Sequence, residues 1–368
     1  MTLTARSGST DHATAPPVDD LGTGARRRRA LLWMLALLVL LVASRVAAVG
    51  AGAVAVPPGD TARIAAFHLL GLGEQTWTPA RDAIVWDVRM PRAVLAVGVG
   101  AGLAVCGAAL QAMVRNVLAD PYLLGVNSGA SSGAAAAILF GVGAGAGAHA
   151  LPASAFAGAL AASLLVLVVA RSGGRVTSLR LLLAGVAVGY ALYALTSFLI
   201  FASDSAEGSR SVLFWLLGSL SLATWGPPLV LVAVVVAATL LALTAMGRRL
   251  DALSIGDETA QTLGLDPDRF RVQLLLVVAL CVGVVVSASG SIGFVGLVVP
   301  HLARRLVGSS HRHVLPVAAL LGAVLLLWAD VVARTVLAPQ EIPLGILTSL
   351  VGAPFLLVLI RRMHVSST

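Results

Sequence analysis

The sequence contains no lysine, and all 25 of its basic residues are arginine. A nucleotide-binding loop of the GxxxxGK type needs a lysine to reach the phosphates, so the chain carries no such loop. Only two cysteines occur, Cys106 and Cys281, and neither belongs to a CxxC pair. Because each lies in an apolar run, we expect buried free thiols rather than a metal or redox centre.

Charge is scarce as well. Charged residues make up 11% of the 368 residues and hydrophobic residues 58%, whereas a soluble domain has roughly 25% charged residues. Most of the chain is therefore predicted to lie in lipid. The formal net charge of +8 would suggest nucleic-acid binding in a soluble protein. Here the arginines fall between apolar runs, which indicates membrane topology instead.

Apolar runs of about 20 residues predict about ten transmembrane helices. They are expected at residues 30–50, 93–113, 123–141, 150–170, 180–202, 226–246, 270–289, 292–307, 314–337 and 343–361. Residues 1–29 are polar and are predicted to be a disordered cytoplasmic tail, with a membrane domain over 30–362 and a second cytoplasmic tail over 363–368. The first run has features of a signal peptide. We favour an uncleaved span, because its removal would leave an odd number of helices.

The arginines between the apolar runs predict the orientation of the chain. If there are ten spans, six arginine-bearing segments fall on one side, at residues 26–29, 115, 171–180, 248–271, 304–312 and 361–362. The opposite connections are more mixed, because acidic residues accompany their arginines, which are Arg63, Arg81, Arg89, Arg92, Arg210 and Arg334. The positive-inside rule assigns that side to the cytoplasm. An even number of spans with both termini in the cytoplasm is therefore expected.

Two arginines flank a proline where the second span begins. Pro91 suits the first turn of a helix, and Arg89 and Arg92, three positions apart, share a helix face or flank its entry. On this topology they form a positive knob in the external water, and Arg334 adds a second positive point beside the helix start at Glu341. Anchoring to lipid headgroups is an equally good interpretation of Arg89 and Arg92.

Two polar segments on the cytoplasmic side are candidates for a gate. The turn from Arg115 to Pro121 interrupts the helical pattern, and polar backbone at membrane depth must be covered by protein or line water. A plain interhelical loop remains the alternative. Thr177 and Ser178 precede the fifth span, where small hydroxyl side chains either cap the helix or line the inner pore.

The cytoplasmic loop over residues 250–268 predicts a short helix. Asp257 and Glu258 supply start signals, whereas Gly264 and Pro267 supply stop signals. A short capped helix is suited to a groove on a partner protein, and a solvated loop is the alternative. Further along the chain, a single imidazole at His301 without a second ligand at useful spacing favours a packed histidine over a metal site.

Taken in order, these motifs resemble those of the permease subunits of type II ABC importers, the iron-siderophore, haem and cobalamin uptake family. The resemblance extends from about residue 30 to 362, and the matching motifs are RxPR, Q-x3-RN-x-LADP-x2-LG, TS-x-RLLLAG, GDETAxxLG, GFVGLVVPH-x-AR and E-x-P-x-G. It implies an all-α integral membrane fold like that of a cobalamin-importer permease. Such a subunit has ten helices and works as a dimer with two ATPases.

The resemblance also implies roles for individual residues. Arg89, Arg92 and Arg334 would pair with acidic residues of a substrate-binding protein. The gate of the translocation path would include Asn116, Leu118, Thr177 and Ser178. The coupling element, seated on the ATPase, would include Gly256, Asp257, Glu258, Ala260, Leu263 and Gly264. The family usually has a proline where this chain has Val117, which makes the gate geometry here less certain.

The expected function is that of a non-enzymatic importer subunit in the bacterial cytoplasmic membrane. No metal or cofactor is expected on this chain, because ATP and Mg²⁺ would bind the partner ATPase. Ferric siderophores are the expected substrate, with haem and cobalamin left open, as is pairing with an identical or a paralogous permease. An ion-coupled secondary transporter is the alternative, with Asp330 as its best intramembrane carboxylate. An intramembrane enzyme lacks support, because no HExxH motif or paired carboxylates occur in the spans.

Overall fold

The computed structural model describes residues 23–52, 54–171 and 174–365. In this part of the chain the secondary structure is entirely helical. The α-helices are α1 Thr23–Gly50, α2 Pro58–Leu70, α3 Pro79–Asp82, α4 Met90–Val114, α5 Val126–Phe140, α6 Ala150–Arg171, α7 Ser178–Phe201, α8 Ala206–Leu216, α9 Pro227–Ala245, α10 Gly247–Ile255, α11 Asp257–Thr262, α12 Pro267–Ser289, α13 Val295–Val307, α14 His311–Thr335 and α15 Leu344–Val365. A π-helix, Ala83–Arg89, leads into α4, and 3₁₀ turns at Pro121–Leu124 and Ala144–His149 precede α5 and α6.

A helix lies at each of the ten predicted positions, but not all ten are long enough to cross a membrane. Eight helical segments of the described residues have the necessary length and hydropathy. The exceptions are α5, with 15 residues, and α13, with 13. Gly125 and Gly141, both with positive φ, bound α5. The all-helical membrane fold is confirmed, whereas the count of ten crossings and the orientation stay predictions.

The α4 helix lies at the centre of the bundle and packs against α14 and α13. Glycines allow this close approach. A Cβ on Gly100 would overlap the carbonyl oxygen of Gly322, and a Cβ on Gly107 would overlap that of Gly296. Small residues at such crossings let membrane helices pack by direct backbone contact.

Two ends of the bundle are defined by contacts between the ends of helices. At the arginine end, Arg92 at the start of α4 meets Asp330 near the end of α14. At the coupling end, Met113 in the last turn of α4 meets Arg271 near the start of α12. His311 at the start of α14 meets Asp251 of α10 at the same end. The α4 and α14 helices therefore each run from one end to the other in opposite directions.

Some predicted boundaries differ from the structure. The α1 helix begins at Thr23, so Arg26 to Arg29 lie in its first turns rather than in a disordered tail. Residues 1–22 and 366–368, the rest of the two predicted tails, lie outside the described residues. The α2 and α8 helices were not predicted, because 13 and 11 residues are too few to span a bilayer.

Candidate functional site

The arginine end contains a buried cluster of charges. The Nε of Arg92 donates to Oδ1 of Asp330 at 2.7 Å, and its Nη1 donates to Oε1 of Glu341 at 2.9 Å. Arg334 pairs with the second oxygen of Asp330 at 3.2 Å. Asp330 is 1% exposed and Glu341 is 43% exposed. Glu341 is therefore the carboxylate of this cluster that water reaches readily.

The end of α1 supplies further partners for these arginines. Arg89 donates to the carbonyl oxygens of Val49 and Gly50 at 3.0 and 2.9 Å and also to that of Val54. Arg334 donates to the carbonyl oxygen of Ala51 at 2.6 Å. The last carbonyls of a helix lack partners within it, so these guanidinium groups satisfy the C-terminal end of α1.

The prediction that Arg89 and Arg92 form an exposed positive feature in the external water is therefore wrong. Arg89 and Arg92 are each 7% exposed and Arg334 is 9% exposed, and all three bind carbonyl or carboxylate oxygens of the same chain. The structure does bring the three arginines together at one end of the bundle. Their contact with a binding protein stays a prediction.

At the coupling end, the turn after α4 is held by its own polar side chains. Arg115 ends α4 with a left-handed φ of 53°. The Oδ1 of Asn116 accepts from the amide of Leu118 at 2.9 Å, and Oδ1 of Asp120 accepts from the amide of Tyr122 at 3.0 Å. Burial raises the pKa of Asp120 to about 6. These two bonds hold the turn, in which Val117 stands where the resemblance implies a proline.

Gln111 fixes this turn to α13, a role that the sequence did not reveal. Its Nε2 donates to the carbonyl oxygens of Ala119, Gly296 and Leu297 at 3.3 Å each, while its Oε1 accepts from Arg304. Gln111 is 3% exposed. The only sequence signal was its place at the start of the Q-x3-RN motif.

Thr177 and Ser178 have different roles. The Oγ1 of Thr177 accepts from the amide of Arg180 at 3.3 Å and caps α7, which was the alternative to pore lining. The Oγ of Ser178 instead donates to the carbonyl oxygen of Met113 at 3.0 Å. The structure therefore brings the two predicted gate segments together, since the start of α7 contacts the end of α4.

The predicted coupling helix consists of two helices. Gly256 separates α10 from α11 with a φ of 156°. Ala260 is fully buried, whereas Ile255 and Leu263 are 69% and 68% exposed, and Glu258 and Gly264 are exposed as well. This element presents two large apolar side chains to solvent on the described chain, as a docking element for a partner would.

Asp257 is not available to a partner in the same way. Both of its oxygens accept from Arg271, at 2.6 and 3.1 Å, and this hydrogen bonding lowers the pKa of the Asp257 carboxyl below its ordinary value. Arg271 is fully buried. From the sequence it appeared only as one of several cytoplasmic arginines.

Comparison with known proteins identifies this arrangement. The sequence model of the FecCD transport family matches residues 36–362. The chain belongs to this family. The vitamin B12 import system permease BtuC of Vibrio cholerae is 43% identical over 289 residues, 78% of this chain and 86% of that protein. The Fe(3+)-citrate import system permease YfmD of Bacillus subtilis is 40% identical over 294 residues, 78% and 84% of the two chains.

A solved structure, an inward-facing conformation of a metal-chelate type ABC transporter, has the same fold. It aligns with a TM-score of 0.77 and 34% identity, covering 89% of this chain and 98% of the other. The resemblance to type II ABC importer permeases is thus confirmed, and the FecCD chain is a multi-pass permease component of such an importer. Asp330, the best carboxylate for ion coupling, is engaged by two arginines, and nothing supports the ion-coupled alternative.

Proposed function

We propose that this FecCD permease forms the translocation path for a ferric siderophore in the bacterial cytoplasmic membrane. A substrate-binding protein delivers the substrate at the arginine end, and ATPase subunits bind the coupling end. The observation that carries the proposal is the placement of the two predicted docking elements at opposite ends of α4 and α14. A partner on either face of the membrane then contacts the same two helices.

Docking at the arginine end works through Glu341 in this proposal. The cluster of Arg89, Arg92, Arg334, Asp330 and Glu341 has three positive and two negative side chains, so one positive charge is in excess. An acidic side chain of the binding protein competes with the half-exposed Glu341 for Arg92. Complementary charge at an interface chiefly raises the association rate and fixes the register.

Transport at the coupling end proceeds by alternating access. The exposed Ile255 and Leu263 bind a groove of the ATPase, which holds ATP and Mg²⁺ and performs the hydrolysis. Movement of α10 and α11 then opens or closes the gate formed by Asn116, Leu118 and the start of α7. A ligand-driven shift between two packed arrangements is the usual basis of such gating.

A second permease subunit, identical or paralogous, completes the path. The α7 helix supports this part of the proposal, because a row of its large apolar and aromatic side chains has no cover within the described chain. Tyr190, Tyr193, Phe198 and Phe201 are 72%, 68%, 61% and 86% exposed. Contiguous exposed apolar surface of this kind is typical of a protein or lipid interface.

The substrate is tested by competition. The permease is reconstituted in liposomes with its ATPase and binding protein, and ATP-dependent uptake of radio-iron-labelled ferrichrome is measured with unlabelled ferrichrome, hemin or cyanocobalamin as competitor. We expect ferrichrome alone to compete effectively. Preferential competition by hemin or cyanocobalamin would contradict the siderophore assignment and leave the importer function intact.

A further inference from the structure

The Arg271 side chain contacts three segments of the chain at the coupling end. It is fully buried near the start of α12, 14 residues after Asp257 in the sequence. Its Nη1 donates to the carbonyl oxygen of Val176 at 3.2 Å, and its Nη2 donates to Oγ of Ser178 at 3.2 Å. Its Nε lies 3.5 Å from the carbonyl oxygen of Met113. One guanidinium therefore contacts α11, the last turn of α4 and the start of α7.

These contacts need the shape of an arginine. The guanidinium is planar and carries five donors in a fixed fork, so two of its nitrogens bind the two oxygens of Asp257 while the remaining donors point to Met113, Val176 and Ser178. A lysine would keep the charge, but its single ammonium cannot form all of these bonds from one position. Replacing Arg271 with lysine therefore tests the hydrogen-bonding geometry of this side chain while its positive charge is kept.

Two other arginines add charge around Asp257 but not this geometry. The guanidinium of Arg115 lies beside Gly256, and Arg175 pairs with Asp268 at 3.5 Å. Both side chains are exposed, so water screens them more than it screens Arg271. Arg271 is the member of this group that is buried between the coupling element and the gate.

We propose that Arg271 is a positioning residue that transmits the movement of α11 to the gate. A shift of Asp257 moves the guanidinium, which in turn displaces Ser178 at the start of α7 and the carbonyl of Met113 at the end of α4. The inference rests on the proposed function, because it takes α11 as the element that the ATPase moves and 116–118 with 177–178 as the gate.

The test separates ATP hydrolysis from gate movement without requiring a known substrate. Val117, 38% exposed in the gate turn, is replaced by cysteine as a reporter, and its labelling rate by a maleimide is measured with and without ATP and vanadate in the reconstituted complex. The two native cysteines are buried, and the parent without the reporter measures their background. ATP hydrolysis is measured on the same samples.

Arg271→Lys is compared with Arg269→Lys in this reporter chain. Arg269 is the matched control, because it lies two residues earlier in α12 and its side chain is 87% exposed. We expect Arg271→Lys to continue hydrolysing ATP while the ATP-induced change in labelling falls by about fivefold or more, the lower end of typical coupling between sites. Arg269→Lys should keep both quantities.

Two results would overturn the role of Arg271. One is an unchanged ATP-induced labelling response in Arg271→Lys. The other is that ATP hydrolysis and the labelling response both fall in the same proportion as the amount of assembled complex. That result would mean that Arg271 has a purely structural role. The parent reporter complex is measured first, before any change is made at Arg271. If it shows no ATP-induced change in labelling, the proposed function itself is contradicted.

A second measurement is independent of how well Arg271→Lys folds. Asp257→Asn and Ser178→Ala alter two side chains that both bind Arg271. If Arg271 links them, their effects on the ATP-induced labelling change should be strongly non-additive, as for residues of one network. Independent, multiplicative effects would refute the link.

Discussion

Replacement of Asp330 by asparagine tests whether the charge cluster at the arginine end is structural. Asp330 is 1% exposed and accepts from Arg92 at 2.7 Å, with Arg334 at 3.2 Å. Asparagine has nearly the same shape but no charge. It would leave two buried guanidinium groups with the half-exposed Glu341 as the remaining carboxylate.

The expected cost follows from this burial. Removing one partner of a buried ion pair typically costs about 3–5 kcal/mol, because the remaining charge stays desolvated. Asp266→Asn is the matched control, since Asp266 is 52% exposed and pairs with Arg269 at 3.1 Å. Exposed pairs contribute about 0–1 kcal/mol. Asparagine at 266 also retains an oxygen that caps α12.

The free energy of unfolding is measured by denaturant titration of the purified protein in detergent. We expect Asp330→Asn to lose several times more stability than Asp266→Asn. Equal losses would refute the structural account of the cluster. Normal stability with a selective loss of transport would also refute it, because Asp330 would then act in transport, as the ion-coupled alternative requires.

Three further predictions concern docking, pH and packing. Glu341→Gln removes one negative charge and weakens the bond to Arg92, because a neutral amide oxygen replaces the carboxylate. The binding protein should therefore associate faster in surface plasmon resonance at low salt; slower association would contradict the docking proposal. Burial raises the pKa of Asp120 from 3.8 to about 6, so the folded state binds its proton more tightly. The free energy of unfolding should therefore fall as pH rises through this interval and then level off. Asp120→Asn should lose this fall. If its pH profile matches that of the parent protein, Asp120 is not the cause. Gly107→Ala should cost about 1–3 kcal/mol through overpacking, measured by the same denaturant titration against Gly145→Ala, whose Cβ meets open space; equal stability of the two variants would contradict the close crossing.

Local patterns predicted the helices well. The α7 and α9 helices, Ser178–Phe201 and Pro227–Ala245, lie within about two residues of the expected 180–202 and 226–246. Each of these helices coincides with a long apolar run, and Thr177 and Pro227 mark where the two runs begin. The short α2 and α8 helices escaped prediction because they follow neither the length nor the hydropathy of a span.

The environment of the arginines was not predictable in the same way. Arg89 binds carbonyls about 40 residues earlier in the chain, and Arg271 binds Ser178, 93 residues away. From the count of charges alone, we would expect these arginines on the surface. Their partners are backbone oxygens and distant side chains, and no spacing rule connects those partners to the arginines in sequence. The sequence singled out the two segments that we propose as gate and coupling element, but not the buried guanidinium that contacts both.

The energy source of transport distinguishes an ATP-driven importer from an ion-coupled transporter. Liposomes containing the permease, its ATPase and its binding protein are compared with liposomes containing the permease alone under a proton or sodium gradient. We expect uptake of radio-iron-labelled ferrichrome only in the complete system and only with ATP. Gradient-driven uptake by the isolated permease would contradict the importer function.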